Sequence, residues 1–288
     1  MEIVIADEVQ KDTRPENTRS GSTPRQWLMT AEGRDGLGFR VVRSEYQAGE
    51  DAFQTPRHHH AFQQIRWAQS GSLNFAPGQD VEEGDIAYFP RGTYYGPQLR
   101  DHGVGLTLQF GFGVEMLGGK DASKVYREGV LKLRTLGRIE DGVFIDTDPE
   151  TGAERRRDPA EAVAEEVTGQ KFTIPTEGYA SPILMHPKAY DYYALSEGVE
   201  IKHLGGFFDH PGPNADLRIS MLRLSDGGAY RLAPDRAQLV WSVSPGLRLD
   251  DRVCPEITTV YSPLDEDATI AGQDGVEAYL IEFPTLAL

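Results

Sequence analysis

The feature that most limits what this chain can become is its punctuation. Short runs of strand-forming residues recur at close spacing, each stopped by Gly or Pro, and they do so in two separate blocks. In the first block the run Phe39–Tyr46 leads to a turn at Gly49-Glu50. Gln64–Ala68 leads to Ser70-Gly71-Ser72, Leu73–Phe75 stops at Pro77-Gly78, and Ile86–Phe89 stops at Pro90-Arg91-Gly92. Gly105–Phe110 then alternates apolar and polar side chains. The second block repeats the habit in Val199–Leu204, Leu217–Leu224, Gln238–Val243, Leu247–Leu249, Thr258–Ser262 and Val276–Phe283, with turns at Asp226-Gly227-Gly228 and Pro245-Gly246. β-Branched and aromatic runs of this length, bounded by breakers, read as the strands of a sandwich or barrel.

The two blocks also echo one another. Gln64–Gly71 resembles Leu239–Gly246, and Tyr88-Phe89-Pro90 resembles Tyr261-Ser262-Pro263. Repetition on this scale points to duplication of a whole β domain. Between the blocks the pattern turns helical. Asp121–Lys124 opens a helix that runs through Leu131 and Leu133 to Gly137. Asp158-Pro159-Ala160-Glu161 opens another, with an acceptor cap, Pro at the first position and Glu three residues on. Gly169 closes it. Gly142–Asp146 and Asp148–Gly152 read as a strand and turn. Asp146 and Asp148 invite a calcium loop, but the Gly and terminal Glu of such a loop are missing, so a hairpin turn is expected. The predicted division is an N-terminal arm over 1–30 with one short strand, a first barrel over 31–116, a helical connector with a hairpin over 117–172, and a second barrel over 173–288.

At 288 residues the chain can bury two ordinary cores. No apolar run approaches the ~20 residues of a membrane span, and Met1–Glu8 has no basic segment followed by an apolar one. Cys254 is the only cysteine, so no intrachain disulfide can form. A cytoplasmic protein is expected. The net charge of −16 repels phosphate backbones and anionic membranes, and no basic helix-turn-helix pattern is visible. The expected partner is a small molecule. The arm could cover a sheet edge in its own chain or in a homodimer.

Three consecutive histidines, His58-His59-His60, precede the Gln64–Ala68 run. On an extended chain His58 and His60 share a face, and imidazole is the commonest metal-binding side chain. If Gln64 faces inward, so do Arg66 and Ala68, with Ile65 and Trp67 opposite. A buried guanidinium is costly without a partner. Arg66 therefore needs an internal acid such as Glu45, or an anionic ligand such as a carboxylate or enolate. Alternation adds Gln109 and Tyr88 as lining candidates.

These residues resemble the two motifs of the cupin superfamily, G-x5-H-x-H-x3-E-x6-G and G-x5-P-x-G-x2-H. His58-x-His60-x3-Gln64-x6-Gly71 keeps the first spacing with Gln for Glu, and Gly84-x5-Pro90-x-Gly92-x2-Tyr95 keeps the second with Tyr for His. Gly49 lies further from His58 than the first motif asks. The resemblance implies an all-β chain of two cupin-type jelly-roll β-barrels joined by a helical connector, a bicupin. It implies one divalent transition metal (Fe, Mn, Ni, Cu or Zn) on His58, His60, Gln64 and Tyr95, with His59 or His102 as substitutes. Such a site would be weaker and less negative than the family's usual one, since Gln64 offers only a neutral oxygen and Tyr95, with a reference pKa near ~10, must lose a proton to the metal, yet it could still hold a tightly binding late transition metal. The alternative is a barrel that has lost its metal and kept a polar interior. In the second copy, anchored on Gly246, the ligand positions fall on Ala233, Asp235, Leu239 and Ala268, which predicts a filled, structural barrel. His186, His203 and His210 lie off the motif.

Two functions follow. One is a cupin-type enzyme of the oxygenase, isomerase or lyase class. A metal would act as Lewis acid or oxygen activator; without one, His58 or His60 would act as general acid or base, Tyr95 as second proton donor and Arg66 as anion clamp. The other is a metal-free, non-catalytic bicupin that binds a small molecule or serves as a scaffold. Fold alone does not choose between them.

Overall fold

The computed structural model describes residues 1–13, 18–21, 23–33, 35–117, 121–174, 178–208 and 214–285. The chain forms two compact units. One comprises Lys11–Glu32 and Leu37–Leu184; the other comprises Met1–Gln10, Gly33–Gly36 and Met185–Leu288. Among the described residues no helix is long and apolar enough to cross a membrane.

In the first unit the main sheet is antiparallel and runs Ile86–Phe89, Gln63–Ser70, Val104–Phe112, Leu37–Glu45, Arg25–Glu32. Two small hairpin sheets, Phe53–Thr55 with Gln98–Arg100 and Ser72–Ala76 with Gln79–Glu82, supply further strands. Alternation sorts the side chains. Ala68, Leu73, Phe75, Val81, Ala87, Phe89 and Tyr95 pack into one apolar cluster. Beyond that cluster the same inner face turns polar, because the next inward residues are Arg66, Gln64, Thr107, Gln109 and Arg40. The sequence therefore builds a barrel that is apolar at one end and polar at the other.

The second unit repeats the plan. Its sheet runs Thr258–Ser262, Gln238–Ser242, Val276–Glu282, Asp216–Leu224, Val199–Phe208, the same order and antiparallel sense. Register gives the equivalences directly. Gln64 lies opposite Phe89 and Gln109, and Gln109 opposite Arg40. Gln238 lies opposite Ser262 and Glu282, and Glu282 opposite Arg218. The counterpart of Gln64 is thus Gln238, not Leu239. The turn before Gly246 holds one more residue than the turn before Gly71, so anchoring on the glycine shifts the frame by one. Leu239 points to the other face. The interior is still filled, through Val240, Leu222, Leu280, Ala278, Val260 and Ile270.

The segment over 1–30 is not one arm. Glu2–Ile5 pairs with Thr258–Ser262 at a sheet edge of the second unit, whereas Arg25–Glu32 is a full strand beside Leu37–Glu45 in the first. The apolar residues Trp27, Leu28 and Met29 drive that pairing. The segment over 117–172 is likewise not a free connector. Helices Ala122–Leu136 and Pro159–Thr168 pack with a three-stranded sheet, Arg138–Glu140, Val143–Thr147 and Glu154–Arg157, around Val130, Leu133, Phe144, Ala162 and Val163, inside the first unit. The helices touch closely at Gly129, where a Cβ would stand 2.6 Å from Val163 Cγ1. Asp146 is a hairpin residue that holds Arg155 and Arg157, and Asp148 accepts turn N–H bonds from Glu150 and Thr151.

Asp158 ties the second helix to the unit. Its Oδ1 accepts from Ala160 N at 2.7 Å and caps the helix, and its Oδ2 accepts from Arg19 Nη2 at 2.8 Å. Asp158→Ala removes a cap and takes the carboxylate from a largely buried guanidinium that also donates to Gly142 O. It should cost about 2–4 kcal/mol in urea unfolding, and Asp158→Asn should cost less because it keeps the cap. Equal stability of Asp158→Ala and wild type would contradict this role.

Candidate functional site

The site grows from one strand. Along Gln63–Ser70, Gln64 and Arg66 project into the barrel while Ile65 and Trp67 point away, as alternation predicts. Both inward side chains are buried, Gln64 to 1% exposure and Arg66 to 6%. A second segment meets them. His58 and Tyr95 exchange backbone hydrogen bonds, N to O at 3.0 Å in both directions, and this brings the histidine segment beside the turn after Phe89.

The result is a knot of three side chains. Gln64 Nε2 donates to Tyr95 Oη at 2.6 Å. Arg66 Nη2 donates to Gln64 Oε1 at 3.0 Å and to Tyr95 Oη at 3.1 Å, and Arg66 Nε reaches Gln64 Oε1 at 3.3 Å. Gln109 Nε2 donates to the same oxygen at 3.4 Å, and Arg40 Nε donates to Gln109 Oε1. The Arg66 guanidinium lies over the rings of Phe89 at 4.2 Å and Tyr95 at 4.8 Å. A desolvated cation–π contact of this kind is worth about 2 kcal/mol. Arg66 Nη1 is buried with no hydrogen-bond partner. Burial, helped by Arg100, lowers the Arg66 pKa to about 10, against the opposing pull of Tyr95 and Tyr46.

No carboxylate pairs with Arg66 among the described residues. Glu45 sits on the outer face and pairs with Lys11 at 2.7 Å and Arg43 at 3.2 Å. Tyr88 also faces away, opposite Ile65, and donates to Gln63 Oε1 at 2.6 Å. It is not a lining residue, whereas Gln109 is.

The knot borders a cavity of about 610 Å³, within the range of small-molecule sites. Further arginines line it. Arg40 is held near pKa 10 by burial and bears on the rings of Trp27 and Phe62. Arg100 Nη1 donates to Tyr46 Oη at 2.5 Å, while its Nη2 is buried without a partner. Burial alone would raise the Tyr46 pKa, but Arg100, Arg66 and Arg25 outweigh it and leave it below the ordinary value. Reading the sequence strand by strand missed Arg40, Tyr46 and Arg100. The alternation that found Arg66 also selects Arg40, once it is known to lie in register with Gln109 and Gln64. Arg100 comes from a three-residue strand with no periodicity of its own.

His58 and His60 converge with the knot. Their ring centroids are 4.9 Å apart, and those of His58 and Tyr95 are 4.5 Å apart. His58 Nδ1 lies 2.7 Å from Pro56 O. A carbonyl only accepts, so Nδ1 carries the proton and Nε2 keeps its lone pair. Burial, then the field of Arg19, lowers the His58 pKa to about 3, and burial and His58 push His60 well below its usual value. Both rings are neutral at pH 7. His59 turns aside: Nδ1 lies 3.1 Å from Gly92 O, Nε2 lies 3.6 Å from Glu161, and the ring stacks on Tyr94. His102 is exposed beside Asp101. Neither joins the knot. In the second unit His203 is exposed and bonds Ser220 Oγ at 2.8 Å. His210 lies outside the described residues.

No family model and no curated protein matches this sequence. Solved structures do match. A Nostoc punctiforme protein with a provisional dioxygenase assignment aligns over 100% of this chain and 84% of its own, with a TM-score of 0.58 at 10% identity. Oxalate decarboxylase from Bacillus subtilis aligns over 99% and 76%, with a TM-score of 0.52 at 13% identity. Protein Ylba from E. coli aligns over 99% and 92%, with a TM-score of 0.51 at 13% identity. Two copies of one barrel plan, matched along their whole length by such structures, define the bicupin fold. This chain is a bicupin in fold, with degenerate forms of the two cupin motifs in its first barrel.

One structure of the Bacillus enzyme is described by its Mn(II) centres. The residues here do not fit such an ion. No group of three or more His, Cys, Asp or Glu is arranged to hold a metal among the described residues. The amide oxygen at the motif position, Gln64 Oε1, already accepts from a guanidinium. Unit charges 4 Å apart interact by about 4 kcal/mol at an effective dielectric of about 20, and a divalent ion doubles that repulsion.

Glu161, from the second helix, also lines the cavity. Burial, with Asp158 and Glu165, raises its pKa from 4.5 to about 7. The folded chain keeps a proton that the unfolded chain releases, so stability falls as pH rises from about 4.5 to about 7. Glu161→Gln should remove that fall. The carboxyl is 30% exposed, so the variant's advantage at pH 8 should be on the order of 1 kcal/mol, vanishing at pH 4. Urea unfolding at both pH values checks this; a difference independent of pH would contradict it.

Proposed function

We propose that the first barrel is the site of a cupin-type small-molecule enzyme whose substrate carries a carboxylate or enolate. The observation that carries this reading is the buried Arg66 guanidinium, unmatched by any acid among the described residues and with Nη1 lacking a partner. A buried cation of this kind is stabilised by a bound anion. Arg100 and Arg40 border the same cavity and extend the positive field.

In this reading Arg66 receives the anionic group and polarises it. His58 and His60 are the proton-handling groups. With Nδ1 committed to Pro56, His58 presents Nε2 as a proton acceptor. Tyr95 Oη accepts from both Gln64 and Arg66, which orients its own O–H, and serves as the second proton donor. The negative charge of a bound substrate offsets the arginine field and makes the imidazoles more basic. A second reading, a non-catalytic binding protein, is favoured by the two replaced motif positions, Gln64 and Tyr95.

Thermal unfolding with a panel of small carboxylates and neutral isosteres tests the anion site. At about 100 times Kd a bound ligand should stabilise wild type by about 2.7 kcal/mol. Arg66→Met should abolish the effect, and Arg43→Met, on the outer face, should keep it. Stabilisation by neutral isosteres equal to that by carboxylates would contradict the assignment. For any ligand that is turned over, His58→Ala and His60→Ala should each abolish turnover. Full activity in either would remove that histidine from the chemistry, and binding without turnover by wild type would favour the second reading.

A further inference from the structure

We propose that the guanidinium of Arg66 has taken over the part that a divalent metal plays in metal-bearing barrels of this fold, so that the first barrel works with a permanent organic cation. This rests on the same pocket as the anion-binding reading and narrows its chemistry.

Two observations support it. The two motif positions that have lost their metal-binding residue types, Gln64 and Tyr95, are the two side chains that accept hydrogen bonds from Arg66. The two replacements and the arginine therefore form one device. A carboxylate at 64 would neutralise the guanidinium; an amide holds it in place and leaves its charge available. A histidine at 95 would bring a second donor or a competing cation; a phenol brings an acceptor and a ring face. The second barrel supplies the comparison. By register the counterpart of Arg66 is Val240, which sits in an unbroken apolar core. At this register position the cation belongs to the first barrel alone.

The chemical consequence is specific. A guanidinium has one positive charge, no redox couple and no exchangeable coordination site. It can hold and polarise a carboxylate or an enolate by hydrogen bonds, and it cannot bind or reduce oxygen. A barrel centred on it is suited to proton-transfer chemistry, of the isomerase or lyase kind.

The test is metal stoichiometry. Wild type, purified without chelator, is incubated with excess Mn(II) or Ni(II), desalted and submitted to elemental analysis. It should retain no stoichiometric metal at this site. The double variant Arg66→Ala/Gln64→Glu should retain one equivalent, and adding His60→Ala should remove it. Arg66→Met, close in volume to the original side chain, is the second variant. Its unfolding midpoint should rise with Ni(II) where that of wild type does not, and it serves if the double variant fails to fold. Two results would overturn the proposal: one equivalent of metal in wild type that is lost in His60→Ala, or a folded double variant and a folded Arg66→Met that both ignore metal. The anion reading stands or falls separately. Wild type that takes metal yet still binds carboxylates through Arg66 refutes the replacement alone. Wild type that takes neither refutes the anion site alone.

Discussion

The guanidinium of Arg66, buried in the first barrel and held between an amide oxygen, a phenol and two aromatic rings, is the interaction on which the rest of the site depends. A cation in such a place is stabilised by the hydrogen bonds of its Nε and Nη2 and by its ring faces. Gln64 turns its oxygen to Arg66 and its amide nitrogen to Tyr95, so each member of the knot fixes the next. Gln109 and Arg40 extend the chain across two more strands of the same sheet. The geometry of the histidines follows, because His58 and Tyr95 share a backbone bridge. Removing any link leaves polar atoms of the knot unpaired, at a cost in stability.

The two barrels show what one frame can be made to do. Strand order and register are the same in both, yet the inward residue of the central strand is Arg66 in one and Val240 in the other. Arginine holds open a polar interior beside a cavity. Valine closes the interior with its neighbours Leu222, Leu280 and Val260. The two interiors differ in residue type at this register position and at its neighbour, where Thr107 in one unit corresponds to Leu280 in the other.

Much of this was legible in the sequence, and what was not has a physical reason. The strand runs, the two helices and their caps were readable because they rest on local chemistry: Asp158 before Pro159, Gly137 and Gly169 after the helices. The inward set Gln64, Arg66 and Ala68 followed from alternation. The partner of Arg66 did not, since Glu45 shares its sheet but not its face, and only register shows that. The equivalence of Gln64 with Gln238 was hidden by one extra turn residue. Arg25–Glu32 pairs with the next strand in sequence, Leu37–Glu45, but lies across the boundary drawn for the N-terminal arm. Arg100 reaches the cavity from a strand too short to carry a pattern. Register across the sheet, rather than composition or propensity, decides the face of Glu45 and the match of Gln64 with Gln238.

A crystal structure of wild-type protein purified without chelator tests the central claim most directly. The account predicts Arg66 seated on Gln64 Oε1 and Tyr95 Oη, with any bound anion in contact with its guanidinium. Density for a metal ion ligated by His58, His60 and Gln64 Oε1, with the arginine swung out of the barrel, would contradict it.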